Sequence, residues 1–412
     1  VEALKKAGVS CLRYPGGHVV SFWDWEFPYH ETYANFWDPA YVRSLTPEKK
    51  AELKKQNGNR MLLDDYFRIC AEGDFEPIVG INMFQGYKFD RLKDSVAKAV
   101  RLVDYCKKRT PKVTYYYLDN EAGHQPKNGK HVPVKDYIDL IPAYSKAIKK
   151  VQPDAKLIVN TIGWKGVKEM IGESGKYFDV LDQHWYYYNG QWGRFNVKSW
   201  RKETRHAKFE NRTSMFDALT KAGGNQHLKL ALLEWNLGPA TGVGNSDKGT
   251  ALWLGLVQAD MFMSFMERGV SMAACWPLTW SRPKDKKVGF RRDFIDPATG
   301  EASPSEHIFK WFSVAADGAL LNCSSPSRSG LHATAVMHKD GKTILVYVLN
   351  KSEEPRSVSV KFRNTVSAVS ARVFRKGDGV GDAGVMDLPT RGGGQTVSFK
   401  MTDTSLVFLK LR

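Results

Sequence analysis

At 412 residues and 46.5 kDa the chain is too long for one small domain, and it suits a barrel of about 250–300 residues with a second domain behind it. Its 42% hydrophobic and 25% charged residues are those of an ordinary globular chain, and no run of about 18 apolar residues offers a membrane span. The net charge of +17 lies mostly in the first 300 residues, which carry 46 basic and 34 acidic side chains against 15 and 10 in the remainder. Such an excess favours a polyanionic partner, but no recognisable nucleic-acid module accompanies it, so neither nucleic acid nor membrane is expected as a partner.

In chain order, Val1 to Gly8 reads as the end of a helix and Val9 to Arg13 as a strand, turned sharply by Tyr14-Pro15-Gly16-Gly17. The loop from Phe22 to His30 is densely aromatic, and Trp23 and Trp25 are expected to offer faces for stacking against sugar rings. Helical spacing over 59–73 leads to a strand over 75–82, and a helix over 92–106 leads to the β-branched and aromatic run 112–118. A helix over 137–151 precedes a strand over 155–160, and a strand over 178–184 runs into Trp185 and three tyrosines. After a helix near 214–222 comes the apolar run Lys229 to Leu233; after a long helix over 250–268 comes Val270 to Trp276.

Strands alternating with helices imply a parallel sheet with right-handed crossovers. Seven strands can be counted, near residues 9, 76, 113, 156, 179, 229 and 270, where a closed barrel needs eight. The missing strand is expected ahead of Val1. From about residue 330 the hydrophobic period becomes two, as in Thr343 to Val348 and Ser405 to Leu409, which is the pattern of an antiparallel sandwich. The expected fold is therefore α/β: a (β/α)₈ TIM-type barrel over residues 1–315 and a C-terminal antiparallel β-sandwich over 316–412.

Two apolar runs end abruptly in glutamate: Tyr115-Tyr116-Tyr117-Leu118 leads to Asp119-Asn120-Glu121, and Leu230-Ala231-Leu232-Leu233 leads to Glu234-Trp235-Asn236. Strand C-terminal ends are where barrel enzymes place their chemistry. A pair of carboxyl groups there suits glycosidic bond cleavage, one as proton donor and the other as nucleophile, about 5–5.5 Å apart if the anomeric configuration is retained. Glu234 beside a cation such as Arg13 would stay ionised, and Glu121, near that negative charge, would have its pKa raised. One such glutamate alone could equally be a strand-end salt bridge. His184 and His124 lack a second ligand at helical spacing, and no Gly-rich phosphate loop is present, so no metal or cofactor is expected.

At this point the chain resembles the clan A glycoside hydrolases, specifically family 51, the α-L-arabinofuranosidases. The matching segments are Leu12-Arg13-Tyr14-Pro15-Gly16-Gly17, Asn120-Glu121, Gln183-His184-Trp185-Tyr186 and Glu234-Trp235-Asn236. The resemblance implies Glu121 as acid/base, Glu234 as nucleophile, Asn120 on the sugar 2-hydroxyl, Arg13 supporting the nucleophile and Tyr186 lying against it. His184 and Trp276 are placed with them as pocket contacts. The chain departs from the family at Asp119, where glycine is usual, and after the last strand, at Trp276-Pro277-Leu278-Thr279-Trp280.

Three readings follow: a retaining glycosidase on an anionic polysaccharide, one on a neutral glycan such as an arabinofuranoside, and a non-catalytic carbohydrate-binding protein. Retention of both glutamates argues against the last. Two basic groups favour a sulfated or uronic substrate: Arg201, Lys202, Arg205, His206, Lys208 and Arg212, and Arg282, Lys284, Lys286, Lys287, Arg291 and Arg292. Both follow barrel strands and could flank the cleft, with Arg205 and Arg291 as anion contacts. The expected partner is a poly- or oligosaccharide, and a secreted or periplasmic location is favoured.

Overall fold

The computed structural model describes residues 1–29, 44–121, 126–127, 130–160, 164, 166–187, 197–202, 204–238, 250–279, 293–295, 300–325, 330–376, 383–391 and 394–412. Seven strands form one parallel sheet in sequence order: β1 (Cys11–Tyr14), β2 (Glu76–Ile81), β3 (Tyr115–Leu118), β4 (Lys156–Asn160), β5 (Val180–Tyr187), β6 (Lys229–Leu237) and β7 (Met272–Cys275). Neighbours in the order are paired in parallel throughout, giving a nearly closed barrel. The helices are α1 (Glu2–Lys6), α2 (Pro47–Asn57), α3 (Leu63–Gly73), α4 (Phe84–Lys88), α5 (Leu92–Cys106), α6 (Val134–Val151), α7 (Val167–Ser174), α8 (Val197–Arg201), α9 (Thr204–Ala222), α10 (Thr250–Glu267) and α11 (Glu306–Ser313). Helix α2 escapes the sequence reading because its lysines and glutamates leave Leu53 as its one buried side chain.

Each barrel strand divides its side chains by the two-residue period. Ile78, Tyr117, Ile158, Val180, Ala231 and Leu233 fill the interior, while Val79, Tyr116, Leu157, Val159 and Leu181 face the helices. Gly80 of β2 makes room for Tyr117 on β3. A Cβ at Gly80 would stand 2.5 Å from the Tyr117 ring and 2.6 Å from Val20 Cγ2, closer than carbon atoms pack.

Strand β6 breaks this parity at one place, and the break positions the site. Asp182 pairs with Ala231 and His184 with Glu234, so β6 carries one residue more than β5 across the same span; β7 meets the same extra residue between Leu232 and Trp235. Such a bulge re-aims the side chains beyond it. Ala231 and Leu233 point inward, yet Trp235 packs outward with Leu232, leaving Glu234 to face the barrel mouth. With strict alternation Glu234 would share the outward face of Leu232.

The C-terminal strands are β8 (Ala319–Leu321), β9 (Leu331–Met337), β10 (Ile344–Asn350), β11 (Arg356–Val366), β12 (Ala368–Lys376), β13 (Ala383–Asp387), β14 (Gly394–Met401) and β15 (Ser405–Leu411). Six form an antiparallel sheet in the order β8-β9-β10-β15-β12-β13, and β11 pairs with β14 as a second layer. Val346, Val348, Leu409 and Leu411 of the first layer meet Val358, Val397 and Phe399 of the second.

Helix α10 has apolar residues around its whole circumference, the mark of an element covered on all sides. One side packs on Trp185, Leu232 and Trp235 of the barrel, and the other meets Val336, Leu345, Tyr347 and Phe374 of the sandwich sheet. Beneath this apolar seam lies a buried ionic cluster. Lys351 Nζ is 2.7 Å from Asp260 Oδ2, Trp200 Nε1 donates to the same oxygen, and His332 joins Asp260 to Glu267. No helix among the described residues is long and apolar enough to cross a membrane.

Candidate active site

The barrel mouth brings together Glu121, Glu234, Arg13, Asn120, His184 and Tyr186. Glu234 has both oxygens engaged: Arg13 Nη1 donates to Oε1 at 3.0 Å, and the Tyr186 hydroxyl donates to Oε2 at 2.9 Å. Arg13 also donates to the Leu233 carbonyl and, through Nη2, to Asn120 Oδ1, and its guanidinium lies 4.2 Å from the Tyr117 ring centroid. One cation on β1 thus fixes side chains from β3 and β6. The same contact decides the orientation of Asn120. With its oxygen held by Arg13, its amide nitrogen is the group left for the pocket.

His184 lies between the two glutamates. Its Nδ1 is 2.6 Å from Glu121 Oε1 and 3.4 Å from Glu234 Oε2, and its Nε2 is 3.4 Å from Asp182 Oδ2. Burial alone would lower its pKa, but the negative charges of Glu234 and Asp182, with the hydrogen bond to Glu121, hold it up at about 10. His184 is therefore an imidazolium at neutral pH. Glu121, His184 and Glu234 offer atoms within 4.8 Å of one another, a spacing that could suit a cation. His184 Nδ1 and both oxygens of Glu234 are already engaged by Glu121, Arg13 and Tyr186, so a cation there would have to displace these contacts.

The sequence reading missed a second group of residues, which ties the two strand ends together. Asn160 at the tip of β4 accepts from the Glu121 backbone N–H at 2.6 Å and donates to Asp182 Oδ2 at 2.9 Å. Asp182 Oδ1 in turn accepts the Leu233 N–H at 2.7 Å, the amide at the β6 bulge. This relay joins the backbone of one glutamate to the backbone beside the other. Its signal was present in the alternation Asp182, His184, Tyr186, which puts all three on the inner face of one strand.

Asp119, where the chain departs from the family pattern, supports the same strand end. Its buried carboxylate accepts from the Ser21 hydroxyl and from the backbone N–H groups of Met83 (2.9 Å), Phe84 (2.6 Å) and Asn120 (2.8 Å). Burial raises its pKa, and these donors oppose the rise. His18, also missed, places Nε2 at 3.5 Å from Glu121 Oε2.

Other expected contacts lie elsewhere. Trp276 is at the site: its ring meets Tyr186 edge-on at 6.3 Å, and Asn236 donates to its carbonyl oxygen. Trp23 and Trp25, the expected sugar platforms, pack against neighbouring barrel elements. Trp23 is 8% exposed and packs edge-on against Tyr14, and Trp25 packs on Tyr105 of α5. The reason is ionic, since Asp24 pairs with Lys98 and Glu26 with Arg101, drawing the loop down on α5. Of the first basic group, Arg201 binds the Lys351 carbonyl and Glu353 of the sandwich, and His206 is buried against Ser264. Neither flanks the cleft. The side chain of Arg205, together with Arg291, the rest of its basic group and His124, lies outside the described residues.

The Alpha-L-arabinofuranosidase 1 domain model matches residues 3–206, and the Glycosyl hydrolase family 30 beta sandwich domain model matches residues 321–381. The chain is a clan A glycoside hydrolase. A search of curated proteins found no sequence match to this hydrolase. Among solved structures, it is similar to the family 51 arabinofuranosidase from Xanthomonas axonopodis pv. citri at 17% identity and a TM-score of 0.72, over 100% of this chain and 89% of that one. The Thermotoga maritima α-L-arabinofuranosidase aligns at 16% and 0.70, over 99% of this chain and 88% of that one. The family 30 subfamily 8 xylanase from Clostridium acetobutylicum aligns at 13% and 0.62, over 100% and 91%. At these identities the likeness carries the fold of the hydrolase: a barrel with a β-sandwich.

Proposed function

We propose that this hydrolase cleaves glycosidic bonds with retention at the anomeric carbon, with Glu234 as nucleophile and Glu121 as acid/base. The observation that carries the reading is the approach of oxygens from Glu121 and Glu234 to within 4.8 Å, near the separation of about 5–5.5 Å in retaining enzymes and short of the 6.5 Å or more that accommodates a water in inverting ones. In the first step Glu234 attacks the anomeric carbon while Glu121 gives its proton to the departing oxygen. In the second, Glu121 takes a proton from water, which displaces Glu234 and restores both groups. Asn120 offers its amide to a hydroxyl of the bound sugar, and Trp276 and Tyr186 wall the nucleophile side. We take residues 1–315 as the catalytic barrel and 316–412 as the sandwich, and propose a secreted or periplasmic location. NMR of the first-formed sugar should show the anomer of the substrate; the opposite anomer would remove the double displacement.

Two substrate classes have support. The arabinofuranosidase domain match over 3–206 favours a neutral glycan bearing arabinofuranose. The net charge of +17 favours a sulfated or uronic polysaccharide, although Arg201 and His206 are taken up in packing between barrel and sandwich. Salt separates the two. On a polyanion, kcat/KM should fall steeply between about 50 and 500 mM salt, as added ions screen the attraction; a best substrate that is neutral, with a flat salt response, leaves the arabinofuranoside reading.

A further inference from the structure

We propose that His18 is a positioning residue for proton transfer, holding the oxygen of Glu121 from which the proton leaves. The inference deepens the retaining reading and rests on it. Glu121 Oε1 faces Nδ1 of His184, which is buried and, as an imidazolium, donates to it. An oxygen that accepts so short a bond from a cation is the poorer place for the acidic proton. The proton that Glu121 hands to the glycosidic oxygen therefore sits on Oε2. His18 stands beside that atom, with Nε2 at 3.5 Å and its side chain 41% exposed at the mouth. Two imidazoles thus address the two oxygens of one carboxyl group, the buried one from within the barrel and the open one from the side where substrate enters.

The turn that carries His18 is anchored on the barrel. It is a 3₁₀ segment, Gly17–Phe22, in which Val20 is buried in the barrel interior. Ser21 of the same turn donates to the Asp119 carboxylate, which also accepts the Asn120 N–H one residue before Glu121. One buried carboxylate thus ties the turn bearing His18 to the strand end bearing the acid/base. Gly17, at φ +60°, sets the turn over the gap between the glutamates: a Cβ there would lie 4.0 Å from Glu234 Oε1 and from Trp276 Nε1. Misplacing a reacting atom by about 1 Å can cost on the order of 100-fold in rate, so a side chain that fixes Oε2 matters most where protonation is most needed.

The test uses a series of aryl glycosides of the sugar that the wild type releases, with leaving groups of graded acidity. His18→Ala should lower kcat/KM by about 10–100-fold on natural linkages and poor leaving groups, and hardly at all on a dinitrophenyl glycoside, which departs without a proton. The dependence on leaving-group acidity should steepen. The thermal unfolding midpoint should stay near wild type, and His18→Gln, whose amide reaches about as far, should restore most of the rate. Glu121→Gln, the reference, should show the same pattern more strongly. A uniform loss across the series, or none, in His18→Ala while Glu121→Gln steepens the dependence would overturn the role of His18 and leave the retaining reading intact. A flat series for Glu121→Gln would instead remove the acid/base assignment on which the proposal stands. Should His18→Ala unfold under assay conditions, His18→Asn, too short to reach Oε2, decides by the same steepening or its absence.

Discussion

Glu234→Gln should lower kcat/KM by on the order of 10⁴-fold or more on every glycoside, activated or natural, with little change in folding. The amide has the size of the carboxyl group; Arg13 can still donate to its oxygen, and the Tyr186 hydroxyl can turn to accept from its NH2, so the pocket should keep its shape. What disappears is the negative charge that attacks the anomeric carbon, and no choice of leaving group restores it. Glu121→Gln differs in kind, since a good leaving group bypasses the missing proton. The substitution should also lower the pKa of His184, because the Glu234 charge is among the groups that hold it up at about 10. Initial rates on one dinitrophenyl and one natural substrate, with a thermal melt of each protein, are enough to check this. Residual activity within tenfold of wild type on either substrate would dismiss Glu234 as the nucleophile.

Lys351→Met should destabilise the protein by about 3–5 kcal/mol. Lys351 has no solvent-exposed surface, and its ammonium faces Asp260 Oδ2 at 2.7 Å, with the Trp200 ring 5.2 Å away. The barrel supplies Asp260 from α10 and Trp200 from α8, while Lys351 follows β10 of the sandwich. Removing the cation leaves a carboxylate buried at the domain seam, with His332 still in contact with it. Its pKa lies far below the usual aspartate range largely because of Lys351, with help from His332 and His206. Changing Asp260 to Asn in the same protein should recover part of the loss, because no uncompensated charge then remains. Denaturant and thermal unfolding of the single and double variants measure both effects; a single-variant loss under about 1 kcal/mol would show that the pair does not stabilise the seam.

Much of the architecture was legible in the sequence because hydrophobic period is a local property. Apolar runs of four to six residues separated by helical spacing marked the seven strands, and the polar residues that end two of those runs put Asn120 and Glu121 just past the tip of β3 and Glu234 near the C-terminal end of β6, which runs on to Leu237. The change to a period of two marked the sandwich. Charge and aromatic content read less well. Trp23 and Trp25 look like stacking surfaces in sequence, but Asp24 and Glu26 find Lys98 and Arg101 about 75 residues away and fold the loop down. Arg201 and His206 look like a cationic rim, but Arg201 binds the sandwich at Lys351, and His206 packs between Ser264 of α10 and His332 of β9.

What only the tertiary structure decided is which way the strand-end groups point and what holds them there. The direction of Glu234 depends on a bulge that exists only in the pairing of β6 with both neighbours, and Asp182 accepts the amide that the bulge displaces. Asp119, Asn160 and His18 reach the site through contacts of 98, 39 and 103 residues in sequence separation, with no periodic signal to announce them. Local periodicity determines which face of an element seeks water or core. Hydrogen-bond partners are set by which strands become neighbours, and that follows from closing the whole barrel around a single packed interior.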